Sequence, residues 1–405
     1  MYFSYEQLVN LGVLLLVLLV FTVGKSPLFR LDRTGSVLVG SVLLLACGFI
    51  GFDQAMSFVD FRTIAILFCM MLVVANLKVA GLFEYMGALI VKRVHSERSL
   101  LAVIILSSGI MSAVAINDII CLLFTPVVLL ICKQLGIKAV PYLIAVAMSS
   151  NIGSASTLLG NPQNILVGSL SGLDLATYVL NVLPIVILGL LITYLVIYFL
   201  YREQLQQRLQ AVAAEHFYYH QYLLIKGLLI LAGIIGGYLM GIDLVLLAMG
   251  GAALVLLTRR VKPNRLYTSI DFNLLIMFIG LFIVIGAVEK SGLLNQVLQV
   301  LPTNLTSSFG FFTILTVALS NIVSNVPAVL LLQSFVPAEQ STVWWTALAL
   351  ISTIAGNLTL FGSMANLIVV EIAKREHVDI SAKDYLRAGF PVTVILLIVS
   401  YLWLV

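Results

Sequence analysis

Asp118 is the residue whose type and position most strongly indicate chemistry in this chain. It follows Asn117 within the apolar segment SAVAINDIICLLFTP (112–126). A carboxylate in such a segment is costly to bury unless it is protonated, partnered or bound to a cation. Asp118 is therefore predicted to be an ion-coupling residue for a proton or Na⁺. The alternative, which is compatible with the first, is that it caps the following helix and satisfies free backbone N–H groups.

Two polar segments interrupt long apolar stretches: SSNIGSASTLLGNPQN (149–164) and AGNLTLFGSMAN (355–366). In the first, Asn161 stands directly before Pro162, a pair that is typical of the start of a helix. Helix N-termini offer free N–H donors and a partial positive charge, so a group of them suits an oxyanion or a hydroxylated solute. The same rule predicts two further helix starts, at Ser363 and at Asn325.

The residues predicted to bind solute carry amide or hydroxyl groups, or are glycines beside them. They are Asn117, Asn151, Ser154, Thr157, Gly160, Asn161, Asn164, Asn325, Asn357, Thr359, Gly362, Ser363 and Asn366. For any one of them, the alternative is that the polar group only joins neighbouring helices. Carbonyls freed where helices unwind could hold Na⁺, with Asn151 and Asn357 as candidate ligands. No cofactor and no other metal is predicted.

Composition restricts the class of protein that can present these residues. Of 405 residues, 61% are hydrophobic and only 10% are charged, whereas soluble domains average about 25% charged residues. Apolar runs of roughly 20 residues recur along the chain and predict a polytopic all-α membrane protein. The net charge of +4 without a dense basic cluster excludes nucleic acid as a partner. An enzyme is not expected, because no nucleophile–base pair lies within the apolar runs.

Four segments have lengths or interruptions that do not suit simple membrane spans. About 100–132 and 309–336 each consist of two short apolar pieces around an Asn-containing tip, which predicts two re-entrant hairpins. About 139–170 and 343–374 are long enough to span but carry the polar segments in their middles. Unwound backbone at that depth requires a protein-buried or wet cavity, so both are predicted to be broken helices at the midplane.

An internal repeat predicts the architecture. Thr157, Gly160 and Asn164 recur as Thr359, Gly362 and Asn366 at a constant shift of 202, and Asp60-Phe61 recurs as Asp271-Phe272 at a shift of 211. The expected domains are two inverted-topology repeats, 1–201 and 222–405, joined by a cytoplasmic linker at 202–221. Together they hold about 10 transmembrane spans and the two hairpins. This layout is typical of secondary transporters, whose sites lie between the repeats.

The distribution of cations predicts the orientation in the lipid bilayer. Every Lys and Arg except Arg62 and Lys290 falls on one predicted side, so both termini are expected to be extracytoplasmic in a prokaryotic plasma (inner) membrane. No Lys or Arg is predicted near the site, which favours a neutral, hydroxylated solute. The oligomeric state is left open, with a homodimer among the alternatives.

The same segments resemble those of a known group of transporters. AINDIICLLFTP, SNIGSASTLLGNPQN, SNIVSNVPAVLL and GNLTLFGSMANLIVVEIA are similar to motifs of the ion transporter superfamily, which includes ArsB-type arsenite permeases, NhaD-type sodium–proton antiporters and divalent-anion symporters. The Asn117-Asp118 pair and the GNPQN run resemble the arsenite permease and NhaD branch. The symporters show Ser-Asn-Thr at both sites, whereas Ser150-Asn151 precedes Ile152 here, which argues against a dicarboxylate.

The resemblance implies an elevator-like transporter in which hairpins, broken helices and final spans move against a scaffold of the other spans. It favours export of arsenite or antimonite in exchange for protons through Asp118. Sodium–proton antiport and Na⁺- or H⁺-coupled transport of an inorganic or organic anion are the alternatives. Direction, stoichiometry and assistance by an ATPase subunit are left open.

Overall fold

The computed structural model describes residues 4–24, 29–209, 219–300, 302, 305, 308–337 and 341–405. Within these ranges the regular structure is helical, apart from an isolated bridge between Ser96 and Arg208. Eight of the described helices are long and apolar enough, by length and composition, to cross a membrane. The prediction of an all-α polytopic protein is therefore confirmed.

The helices before the linker pack around the first polar segment. They are α1 (Tyr5–Val23), α2 (Arg33–Ala46), α3 (Phe52–Phe58), α4 (Phe61–Val79), α5 (Leu82–Arg93), α6 (Glu97–Val114), α7 (Asn117–Leu135), α8 (Val140–Ser154), α9 (Pro162–Ser171) and α10 (Leu175–Tyr201). Of the predicted linker 202–221, residues 210–218 lie outside the described residues. Its start packs on α6, where the Gln207 backbone N–H donates to the Glu97 carboxylate at 2.9 Å.

The helices after the linker pack around the second polar segment. They are α11 (Gln221–Leu239), α12 (Leu244–Leu256), α13 (Pro263–Tyr267), α14 (Phe272–Lys290), α15 (Leu293–Val300), α16 (Phe309–Val323), α17 (Asn325–Leu332), α18 (Ser341–Ala355), α19 (Met364–Arg375) and α20 (Ala382–Leu404). Short 3₁₀ turns occupy Gln333–Phe335 and Leu360–Gly362.

Two helix pairs pack closely on each other, α2 with α14 and α4 with α12. The shift of 211 relates α2 to α12 and α4 to α14, so each pair joins helices from different repeats, and α1 and α11 pack beside them. Close approach of α2 to α14 depends on Gly280, where an added Cβ would lie 2.8 Å from the Val37 Cβ. The two-repeat arrangement itself stays a prediction.

The first hairpin differs from the sequence prediction in the length of its arms. Helices α6 and α7 are 18 and 19 residues long, and both qualify as membrane spans by length and composition. Their turn nevertheless lies inside the protein, because Ala115 and Ile116 are buried. The Asn117 backbone N–H donates to the Gly160 carbonyl at 2.9 Å, which places the tip against the break between α8 and α9.

The second hairpin consists of α16 and α17. Its turn is Ser324, which has a φ of 75°, a left-handed conformation that is uncommon outside glycine. The second long helix ends at Ala355 and resumes as α19 at Met364. The four described helices α7, α9, α17 and α19 therefore all begin in or beside the polar segments and hairpin tips.

Candidate functional site

A small cavity lies where these four helices begin. Its volume is about 30 Å³, and Asn117, Pro162, Asn325 and Ser363 contribute the first turns of α7, α9, α17 and α19 to its wall. The first N–H groups of a helix have no partner within that helix and carry partial positive charge. The cavity therefore lies among helix starts from both hairpins and both broken helices.

Two amide oxygens at this cavity lack hydrogen-bond partners. The Oδ1 atoms of Asn117 and Asn325 are buried and accept no hydrogen bond from any described residue. A buried acceptor without a partner costs about 1–3 kcal/mol, so a donor from water or a bound solute would stabilise each. Both residues line the cavity, beside the helix starts.

Asn151 links the two broken helices behind the cavity. Its Nδ2 donates to the Oδ1 atoms of Asn357 at 2.8 Å and Asn366 at 3.0 Å. Its Oδ1 accepts from Asn117 Nδ2 at 2.8 Å and Ser363 Oγ at 3.1 Å. All four hydrogen-bonding positions of this buried amide are filled. Asn151 therefore positions other site residues and is saturated within the protein.

Thr353 lies before the second break and contacts residues that follow the first break. Its Oγ1 accepts from Asn161 Nδ2 at 3.1 Å and Gln163 Nε2 at 3.2 Å, and lies 3.2 Å from Asn164 Oδ1. Thr353 and Gln163 are absent from the predicted set. The signal that could have found Thr353 is the shift of 202, which relates it to Asn151.

Asn164 and Asn366 satisfy the backbone at the two breaks. The Asn164 amide donates to the carbonyls of Ser154 (3.4 Å) and Thr157 (2.9 Å). The Asn366 amide donates to the carbonyls of Gly356 (2.8 Å) and Thr359 (3.3 Å). Na⁺ binding at Asn151 Oδ1 would have to replace an existing hydrogen bond, whereas the Thr157 and Gly356 carbonyls each accept one hydrogen bond and retain a second lone pair. No group of three or more His, Cys, Asp or Glu residues that could hold a metal ion occurs in the described part of the chain.

The two threonines of the predicted set, Thr157 and Thr359, form hydrogen bonds with the two hairpins. Thr157 Oγ1 donates to the Ala113 carbonyl at 2.5 Å, and Thr359 Oγ1 donates to Asn321 Oδ1 at 3.2 Å. Gly160 permits close packing beside the first contact, since an added Cβ would lie 2.2 Å from the Ser154 carbonyl oxygen. At Gly362 the corresponding distance to Asn321 Oδ1 is 2.7 Å.

The predicted residues therefore divide into two groups by position. Asn117, Asp118, Asn325 and Ser363 line the cavity. The others form the hydrogen-bonded layer that positions these four: Asn151, Ser154, Thr157, Gly160, Asn161, Asn164, Asn357, Thr359, Gly362 and Asn366. Their direct contact with solute stays a prediction.

Asp118 is free to take part in binding. Helix α7 has no side-chain capping bond, so the capping alternative does not describe this structure. No hydrogen bond or ion pair joins the half-buried Asp118 to another side chain in the described ranges. Its carboxylate instead lines the first cavity and a second one of about 60 Å³, which also contains Lys78 and Asp271.

Arg33 also lines the first cavity, so the expectation that no Lys or Arg lies near the site is wrong. Its guanidinium donates twice to the Phe21 carbonyl, at 2.9 and 3.2 Å, and contacts the Met364 sulfur. The sequence places Arg33 in a loop between spans. The tip of the first hairpin lies beside the start of α2, and this packing brings the loop-end arginine within electrostatic range of Asp118.

The sequence profile of the citrate transporter family matches residues 16–355, which is most of the chain. The chain belongs to this family. It is similar to a 46 kDa membrane protein of Mycobacterium leprae, with 31% identity over 93% of this chain and 94% of the other. It is also similar to the silicon efflux transporter LSI3 of Oryza sativa subsp. japonica, with 26% identity over 91% of each chain.

A solved transporter shares the fold of this family member. It is the Alcanivorax borkumensis YdaH transporter, whose crystal structure is described as having an unusual topology. The structural match covers 98% of that chain and 99% of this one. The TM-score is 0.53 at 14% identity, so the likeness concerns the fold alone. The predicted relation to the ion transporter superfamily is confirmed, and the chain is a multi-pass secondary transporter of the citrate transporter family.

Proposed function

We propose that this transporter exports a small hydroxylated metalloid, arsenite or antimonite, in exchange for protons across a prokaryotic plasma membrane. The observation that carries the proposal is the pairing of unpartnered amide oxygens, on Asn117 and Asn325, with four helix starts around one cavity. A hydroxyl group both donates and accepts hydrogen bonds. A solute with several hydroxyls would therefore satisfy both kinds of group at once.

The charges at the cavity also support a neutral solute. Arg33 and Asp118 line the same small space and contribute one positive and one negative charge. A neutral solute would leave this balance intact, whereas an ion would disturb it. The name of the rice relative, a silicon efflux transporter, supports a hydroxylated metalloid as substrate class.

Asp118 is the proposed coupling group. As a carboxylate it would accept a hydrogen bond from a solute hydroxyl, and as a carboxylic acid it would lose that capacity at one oxygen. Proton and solute would then compete for Asp118, which is the condition for exchange. A cavity of about 30 Å³ has room for roughly one water molecule, so solute entry would require the hairpin tips to move relative to α2 and α14.

Transport of an anion is the second candidate, because Arg33 and the helix starts favour negative charge. The citrate transporter family is named for such a substrate. Sodium–proton antiport would use Asp118 with the carbonyls of Thr157 and Gly356, which accept hydrogen bonds from Asn164 and Asn366 and each retain a second lone pair.

Flux measurements in proteoliposomes distinguish these candidates. We expect a pH gradient to drive arsenite movement, with no comparable flux of Na⁺ or citrate and none in liposomes without protein. Arsenite movement that ignores the pH gradient would exclude coupling to protons, and citrate flux without arsenite flux would establish the anion alternative.

The proposed orientation has both termini outside the cytoplasm. A C-terminal alkaline phosphatase fusion should be active in bacterial cells, and a C-terminal green fluorescent protein fusion should be dark. The opposite pair of results would invert the topology.

A further inference from the structure

The second cavity meets the first at Asp118. Besides Asp118, only Leu274 among the described residues lines both, so the carboxylate and one apolar side chain separate the two spaces. The first cavity contains the amides and helix starts of the proposed solute site. No amide side chain from the described ranges lines the second.

The second cavity has the polar groups needed to hold water. Asp118, Asp271, Lys78 and Ser269 line it, and Lys78 Nζ lies 3.5 Å from Ser269 Oγ. Its volume of about 60 Å³ has room for roughly two water molecules, each of which requires two to four polar partners. Asp271 and Lys78 are exposed, whereas Asp118 is half-buried. The space therefore joins the protein surface to the carboxylate.

Of the charged groups in this cavity, only Asp118 lacks a charged counterpart in the other half of the chain. The shift of 211 pairs Asp271 with Asp60 and Lys78 with Glu289. Alignment of the hairpin tips, Asn117 with Asn325, pairs Asp118 with Val326. The second hairpin thus has no carboxylate at the equivalent position. A role of the second cavity that depends on Asp118 therefore has no equivalent at the second hairpin.

We propose that the second cavity conducts protons to Asp118, so that protons and solute reach this carboxylate by separate routes. The inference rests on the proposed function in one respect, the role of Asp118 as coupling group. Water in the cavity relays the proton from the surface beside Asp271 and Lys78. Solute hydroxyls occupy the first cavity only.

The charged groups around Asp118 determine how protonation responds to pH. Arg33 faces it from α2, Lys78 from α4 and Asp271 from the start of α14. The residues that α9, α17 and α19 contribute to the two cavities are uncharged. Removal of the Asp271 charge therefore weakens the attraction of protons toward the surface end of the second cavity.

Infrared spectroscopy of the reconstituted full-length protein after a pH drop tests the route. The carboxylic acid band of Asp118 is assigned by its loss in Asp118→Asn. Ala75 lines the second cavity and Val326 the first, so Ala75→Val and Val326→Leu narrow one cavity each. We expect protonation of Asp118 to slow by about tenfold or more in Ala75→Val and to change by less than about twofold in Val326→Leu.

Protonation in Ala75→Val at the wild-type rate would overturn the proposal, and slowing confined to Val326→Leu would assign the proton route to the solute cavity. If Ala75→Val does not fold, Asp271→Asn serves instead, because Asn retains the cap of α14. We expect it to slow protonation severalfold, and an unchanged rate would overturn the proposal. The infrared result is independent of the substrate: if no tested solute moves in the wild type, the proposed function fails and the proton route is still decided.

Discussion

Asn151 and Thr353 make equivalent contacts with opposite halves of the transporter. Asn151 bonds Asn366 and the helix cap Ser363, while Thr353 bonds Asn164 and the helix cap Asn161. Each residue lies on the helix that precedes a break and reaches the helix that follows the other break. The two breaks are therefore held together by reciprocal hydrogen bonds, which couple the positions of the helix starts that line the cavity.

Loss of these links should lower stability in a graded way. Asn151→Ala removes an amide with four partners, and we expect the thermal midpoint to fall most in this variant, since each buried group left unpaired costs about 1–3 kcal/mol. Thr353→Val should produce a smaller fall. Thr193→Val is the matched control, because its buried hydroxyl bonds only Gly189 of its own helix. Equal midpoints for Thr353→Val and Thr193→Val in detergent would contradict the reciprocal link.

Local sequence explains part of this arrangement. The start of α9 follows from Asn161 and Pro162, and the structure shows Asn161 Oδ1 accepting from the Asn164 N–H at 2.8 Å. Capping depends on residues three positions apart, so it can be predicted without knowledge of the fold. The apolar runs likewise predict the helical class, because a bilayer requires backbone groups to be satisfied within each segment.

Tertiary packing explains what the sequence could not predict. Arg33 reaches the cavity because the tip of the first hairpin lies beside the start of α2, a contact between residues about 85 positions apart. Thr353 resembles any other threonine in an apolar helix until α18 is placed against α9. The second cavity also depends on such packing, since Lys78 and Asp271 belong to different halves of the chain.

Gly160 should tolerate no side chain. An added Cβ would lie 2.2 Å from the Ser154 carbonyl oxygen and 2.7 Å from that of Ser112, both in the backbone. Overpacking of this kind costs about 1–3 kcal/mol or more, so Gly160→Ala should lower both the thermal midpoint and the flux.

Gly168 is the matched control on the helix that follows. An added Cβ there lies 3.4 Å from the Leu158 Cβ, an ordinary contact, and alanine in a helix is favoured over glycine by about 0.5–1 kcal/mol. Gly168→Ala should therefore keep or raise the midpoint. A fall as large as that of Gly160→Ala would show that the space around α9 is tighter than the structure indicates.

The ion pair between Arg62 and Asp243 should give an acid-dependent contribution to stability. The hydrogen bond from Arg62 lowers the pKa of Asp243, so the contribution is present above the unfolded value of about 3.9 and is lost as pH falls through the lower folded value. Both side chains are partly exposed, and exposed pairs contribute less than about 1 kcal/mol. Arg62→Gln should lower the midpoint slightly at pH 7 and by less at pH 3. A larger difference at pH 3 would contradict this sign.

Asp118→Asn should separate coupling from folding. Because the carboxylate caps no helix, we expect the thermal midpoint to stay close to wild type while proton-driven flux falls to background. Solute counterflow at equal pH should persist in reduced form, since it needs no proton. Asp118→Glu, which retains the carboxylate, should recover part of the driven flux. Full proton-driven flux in Asp118→Asn would exclude this residue as the coupling group.

Arg33 distinguishes a neutral substrate from an anion. Arg33→Gln removes the positive charge at the cavity, and for a neutral solute the half-saturating concentration should change by less than about threefold. For an anion the loss of a nearby countercharge should raise it by about tenfold or more, equivalent to about 1.4 kcal/mol. Arg33→Lys is the control, because it keeps the charge and loses the two bonds to the Phe21 carbonyl. A large effect of Arg33→Gln that Arg33→Lys reverses would therefore assign an anionic substrate, and equal small effects of both would support the hydroxylated metalloid.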